Sequence, residues 1–220
     1  MFANYGKSNP KEKIIMIRIA IIILFGIVLG CPTNAQHRQG HDRSSECIEH
    51  SNRHHRSPYI VVDDRVYYDG QPLKGADASS FKILRDGYAK DAWTVYYDGV
   101  KIAGVSAGSF DSLGQGYAKD AWCVYYDGER IKGASADSFK VMRDGYTKDA
   151  WTVYYHGVKI SGASADSFRV LGDGYAKDAW YAYFDGERIK GSSPDSFKVL
   201  RDGYAKDDWA TYYWGRKVGN

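Results

Sequence analysis

The dipeptide Lys-Asp occurs five times at one spacing, as Lys90-Asp91, Lys119-Asp120, Lys148-Asp149, Lys177-Asp178 and Lys206-Asp207. A second carboxylate, Asp86, Asp144, Asp173 or Asp202, stands just before four of these pairs, and Gln115 holds its place in the other. Neighbouring carboxylates could ligate calcium, but that ion takes six or more oxygens. Two carboxylates beside a competing lysine instead suit an aspartate that hydrogen-bonds turn amides and pairs with its lysine. Cys47, His50, His54 and His55 could offer thiolate and imidazole to zinc or copper. A polar stretch with no fold around it would have to organise that site unaided, so no metal and no other cofactor is expected. His156, the one histidine among the repeats, replaces a turn aspartate and reads as a solvated substitution. Nothing combines a nucleophile with a base and an orienting partner, and there is no phosphate loop. Catalysis is not expected, and the chain is read as no enzyme.

Tyrosine offers more. Over Trp93 to Tyr97, strand alternation puts Trp93, Val95 and Tyr97 on one face and Thr94 and Tyr96 on the other. Position 94 varies among the repeats, which marks its face as the wetter one. Tyr67, Tyr96, Tyr125, Tyr154, Tyr183 and Tyr212 would then form a semi-exposed ladder, able to stack on sugar rings or on a partner's apolar groups. The competing reading packs the same tyrosines between units, where they hold the array together.

These residues must be positioned by a repeated element. Trp93, Trp122, Trp151, Trp180 and Trp209 are 29 residues apart without a slip, as are Phe81, Phe110, Phe139, Phe168 and Phe197, and the glycines Gly70, Gly99, Gly128, Gly157, Gly186 and Gly215. A constant period means an array of identical units, each burying its apolar face against the next. Trp93–Tyr97 favours a strand, Asp98-Gly99 a two-residue hairpin turn, and Lys101-Ile102-Ala103 the return strand. Ser135 to Phe139 reads as one helical or 3₁₀ turn before a short strand at 139–142, and Asp144-Gly145-Tyr146 turns the chain into the next unit. With three short strands per unit and no long 3.6-residue period, the class is all-β. Tandem hairpins of 29 residues predict an open solenoid-like array; the alternative is a closed propeller-like ring, although 29 residues are few for a propeller blade.

Residues 1–35 read as an export signal, with Lys11, Lys13 and Arg18 ahead of the apolar run 19–29, which is too short to span a membrane stably. Two cuts are legible: 28–31 resembles a lipobox in which Cys31 would be lipidated and anchor the chain to a membrane, and 33–35 resembles an ordinary signal peptidase site before Gln36. The expected location is the cell envelope, lipid-anchored at the outer membrane or periplasmic, or outside the cell. Residues 36–58, rich in His and Arg and poor in apolar residues, read as a disordered linker. Residues 59–220 hold five complete repeats and a partial sixth. They carry 22 of the 30 Lys and Arg and 23 of the 27 Asp and Glu, a net charge of −1. A near-neutral surface with mixed signs argues against nucleic acid as a partner.

The string Tyr88-Ala89-Lys90-Asp91-Ala92-Trp93-Thr94-Val95-Tyr96-Tyr97-Asp98-Gly99, recurring through residues 59–220, resembles the DKNYY family of bacterial repeat proteins. The resemblance implies an envelope or secreted repeat domain and transfers no active site. Ala92-Trp93 stands where the family name has Lys-Asn. The expected function is a non-catalytic binding or interaction module for an envelope glycan or a protein. A structural spacer with no ligand is the rival.

Overall fold

The computed structural model describes residues 57–219. The expected signal, Cys31, and residues 36–56 of the linker with its cysteine and histidines lie outside the described residues; Ser57 and Pro58 at its end are described. A three-stranded sheet, β1 (Tyr59–Val62), β2 (Arg65–Tyr68) and β3 (Gln71–Pro72), opens the array. Five four-stranded sheets follow, all antiparallel meanders. The first of them is β4 (Lys82–Ile83), β5 (Tyr88–Lys90), β6 (Val95–Tyr97) and β7 (Val100–Ile102). Each unit thus has four strands where the sequence predicts three. The strand it misses is β5 and its equivalents, Tyr-Ala-Lys or Tyr-Thr-Lys, whose Ala and Lys have little intrinsic strand preference. Pairing on both edges and burial on both faces make it a strand.

Tight turns keep these strands short. Asp86-Gly87 joins β4 to β5 and Asp98-Gly99 joins β6 to β7, with φ of 54 and 80° in the first and 45 and 76° in the second. Two successive positive φ values are the signature of the hairpin turn whose twist matches antiparallel strands. The Asp86-Gly87 pair therefore turns within a sheet, and Asp144-Gly145 likewise does not lead into a new unit. The passage between sheets is the segment from Ala103 to Phe110 and its equivalents. At its centre the chain makes a single overlapped turn, with Ser80 N–H donating to Asp77 C=O at 3.3 Å and Phe81 N–H to Ala78 C=O at 3.4 Å, and no helix forms.

The sheets stack face against face. On β5 and β6, Ala89 and Tyr96 pack on Tyr59 of the preceding sheet, while Tyr88 and Val95 pack on Ala118 and Tyr125 of the following one. The phenylalanine of each connector wedges between sheets as the middle ring of a triad. Phe110 lies 5.5 Å from Tyr88 and 5.7 Å from Tyr125, and Phe168 lies 5.4 Å from Tyr146 and 5.5 Å from Tyr183. Ring separations in this range add edge attraction to the area buried.

The stack is an open array, and no sheet closes into a barrel. Its ends show this locally. A Cβ placed on Gly99, Gly128, Gly157, Gly186 or Gly215 would press on an aromatic ring of the preceding unit, whereas one on Gly70 meets nothing within 4 Å. At the other end, Tyr204 and Tyr213 are 41% exposed, although the equivalents of Tyr204 inside the stack are buried. A ring would have joined these two ends.

Candidate functional site

Between β5 and β6 the chain makes the loop Asp91-Ala92-Trp93-Thr94, and its aspartate is buried. Asp91 Oδ1 accepts from the amides of Trp93 at 2.8 Å and Thr94 at 2.7 Å. Its Oδ2 accepts from the Asp77 amide at 3.1 Å and from the Tyr96 hydroxyl at 3.1 Å. The Ala92 amide donates to Ser80 Oγ at 3.0 Å, which fastens the loop to the preceding connector. The same contacts recur around Asp120, Asp149, Asp178 and Asp207. Burial raises the pKa of each of these carboxylates, but the amides outweigh it and hold all five below the ordinary carboxylate range.

The lysines of the first four Lys-Asp pairs point elsewhere. Lys90 Nζ donates to the carbonyls of Ala107 at 2.9 Å and Phe110 at 2.6 Å in the following connector, and Lys119, Lys148 and Lys177 reach the matching carbonyls. The expected Lys–Asp pairing is thus replaced by a tie between units. With its four acceptor positions filled by amides and a hydroxyl, Asp91 has little left for calcium. Among the described residues, no group of three or more His, Cys, Asp or Glu is placed to hold a metal ion.

The clamped loop lifts its tryptophan out of the stack. Trp93, Trp122, Trp151, Trp180 and Trp209 are between 70 and 84% exposed, the most exposed large apolar side chains of the described residues. Because β6 begins only at Val95, Trp93 does not share the face of Val95 and Tyr97, as strand alternation from Trp93 had implied. The tyrosine ladder is corrected in the opposite sense. Tyr96, Tyr125, Tyr154, Tyr183 and Tyr212 are buried, and only Tyr67 on the first sheet is half-buried. Alternation separates the two faces of the strand correctly, but a stacked sheet has a neighbour on both sides, so neither face is wet. Burial, followed by the hydrogen bond and charge of the adjacent aspartate, pushes the phenols of Tyr96 and Tyr212 up to about 12.

The tryptophan period is plain in the sequence, whereas the exposure of the indoles is not. The legible signal was Asp two residues before Trp, since aspartate's side chain often captures the amide two residues on and forms a turn. His156, read as a solvated substitution, is exposed, and it also bonds the preceding unit: its Nδ1 lies 2.7 Å from Tyr126 Oη. The shallow groove beside it is lined by Tyr126, Glu129, Arg130, Lys132, His156 and Lys159 among others.

A family model described as the DKNYY family matches residues 59–179, more than half of the chain. No curated protein and no solved structure matches significantly.

Proposed function

The chain belongs to the DKNYY family, and from that premise we propose that it is an exported, non-catalytic binding module whose ligand lies along the tryptophan row. The observation that carries this reading is the exposure of all five indoles while the phenylalanines and most tyrosines of the same units pack between sheets. A large apolar surface left in water at every unit has no role in packing. Each indole stands on a loop already held by the buried aspartate and the connector serine, so little conformational freedom is lost when a ligand arrives. Indole faces suit the apolar faces of sugar rings while the ring N–H stays available for a hydroxyl. Exposed Asp137, Asp166 and Asp195 on the adjoining connectors supply acceptors beside them. Identical contacts repeated along a stack suit a polymer with its own repeat, in which weak single contacts combine.

The ligand class proposed is therefore an envelope glycan. The export signal read at residues 1–35 supports that location, with Cys31 as a lipid anchor or cleavage before Gln36 as the two routes. Pull-down on peptidoglycan and a glycan array, using the full-length chain, test the binding. Retention is expected for the native protein and strong loss for the combined Trp122→Ala, Trp151→Ala and Trp180→Ala variant. Unchanged retention in that variant rejects the tryptophan site, and absence of any glycan binding rejects the glycan reading in favour of a protein ligand or a spacer. Mass spectrometry of the mature N-terminus, together with Cys31→Ser, decides the anchor: a lipidated Cys31 places the array on a membrane, and a start at Gln36 without lipid makes it free.

A further inference from the structure

The contacts that join consecutive units have two unlike halves, and the two ends of the stack each present one of them. On the leading side of each interface, a tyrosine hydroxyl accepts from a glycine amide 40 residues further on: Tyr59 from Gly99 at 2.7 Å, and Tyr88, Tyr117, Tyr146 and Tyr175 from Gly128, Gly157, Gly186 and Gly215 at 2.9 Å. The hydroxyls of Tyr88, Tyr117, Tyr146 and Tyr175 also donate to glycine carbonyls 28 residues on, at 2.9 to 3.3 Å. A second aromatic ring covers the turn glycine of the next unit, as Tyr97 covers Gly128, where a Cβ would come within 2.6 Å of the ring. Its hydroxyl engages the residue before that glycine, as Tyr155 donates to Asp185 Oδ1 at 2.9 Å. In the last such pair both members change together, Phe184 facing Trp214 at 5.9 Å between ring centroids.

The last sheet carries the leading half of this interface, and no described residue covers it. Tyr204 and Tyr213 occupy the positions of Tyr88 and Tyr97 and are exposed. The first sheet carries the receiving half, likewise uncovered by any described residue. Asp69-Gly70 has the positive-φ turn of Asp127-Gly128, Gly70 has free space where the others have a ring, and Ile60 beside it is 51% exposed. The Asp69 amide donates to the Pro58 carbonyl at 2.9 Å, as the Asp127 amide does to the Gly116 carbonyl at 2.9 Å. Pro58 C=O therefore stands where the Tyr204 hydroxyl needs an acceptor, and Gly70 N–H where it needs a donor.

We infer that copies of this chain stack end to end, the Tyr204 and Tyr213 face of one on the Ile60 and Gly70 face of the next. A second copy fits better than residues 36–56, which are polar and basic and bring almost nothing apolar to these faces. The contact is heterologous, leading face on receiving face, so chains add head to tail. It is weaker than the internal interfaces. Pro58 has no N–H for Asp202, the counterpart of Asp86, which accepts from the Gly116 amide at 2.9 Å. No connector phenylalanine wedges in among the described residues.

Sedimentation velocity on the full chain over a concentration series is the test. Association rising with concentration is expected for the native chain. Tyr204→Lys with Tyr213→Lys removes the leading face, and Gly70→Asn fills the receiving face while tolerating a positive φ; each variant alone is expected to sediment as a monomer. A mixture of the two retains one live face on each partner, so a species of two chains and nothing larger is expected. Association that persists in both variants, a mixture that stays monomeric, or a native chain monomeric at every concentration overturns the inference. Should Gly70→Asn lose its fold by circular dichroism, Ile60→Lys takes its place with the same expected outcome.

Discussion

At the scale of single residues, the buried aspartates are the most heavily used atoms of the array. Asp149 accepts from the amides of Trp151, Thr152 and Ser135 and from the Tyr154 hydroxyl. Asp149→Ala leaves these donors without a partner in a buried site and is expected to cost about 3 kcal/mol or more in chemical denaturation. Asp149→Asn keeps one acceptor oxygen and is expected to cost less. The pH dependence has two arms with opposite causes. The five carboxylates have depressed folded pKa values, so their contribution is complete above the unfolded carboxylate pKa of about 4 and is lost as pH falls through the folded values. The phenols of Tyr59, Tyr96, Tyr154 and Tyr212 are raised to about 12, burial first. Their contribution is complete below the unfolded phenol pKa of about 10 and is lost as pH rises through 12. Ultraviolet titration of tyrosinate with parallel circular dichroism is expected to show ionisation delayed until the array unfolds. Early ionisation of all tyrosines with the fold intact contradicts this burial.

At the scale of the element, the turn glycine serves two purposes that substitution separates. Gly128 has φ of 76° and a Tyr97 ring 2.6 Å from where a Cβ would sit, whereas Gly70 has φ of 74° and open space. Gly70→Ala carries only the backbone strain of about 1 to 2 kcal/mol. Gly128→Ala adds displacement of a packed ring and is expected to cost roughly twice as much, read from the two melting curves. Equal losses would mean that glycine serves conformation alone. The loop of Trp93 shows the reverse economy: the indole makes the loop's most prominent feature yet packs on little, so Trp151→Ala is expected to change stability by no more than about 0.5 kcal/mol while weakening ligand retention.

For the whole molecule, each inner sheet touches the sheets before and after it, and among the described residues the side-chain hydrogen bonds span at most 40 residues along the chain. Stability is then close to a sum over units and nearest-neighbour interfaces. Deletion of residues 117–145, one period, is expected to leave a cooperative fold with a lowered melting temperature and denaturant sensitivity reduced in proportion to the surface lost. Complete loss of cooperative unfolding would show coupling beyond neighbours.

The 29-residue period, the Asp-Gly hairpins and the all-β class were determined by sequence alone, because turn chemistry and strict spacing are local properties of the chain. The resemblance to the DKNYY family rested on the same strings. Tertiary structure decided which aromatic is buried. Tyr96 and Trp93 are both large aromatics of one short segment, and strand alternation with the variable position 94 puts Tyr96, not Trp93, on the wetter face. The difference arises because each sheet is covered on both faces, which takes Tyr96 out of water, and because Asp91 captures the Trp93 and Thr94 amides, which ends the strand before Trp93 and turns its indole outward. The destination of the Lys90 ammonium was decided in the same way, since its partner lies 17 residues away in the next connector and is set by how sheets stack. The fourth strand at Tyr88–Lys90 pairs with its near neighbours in the same sheet, and it escapes the residue pattern because Ala and Lys have little strand preference of their own.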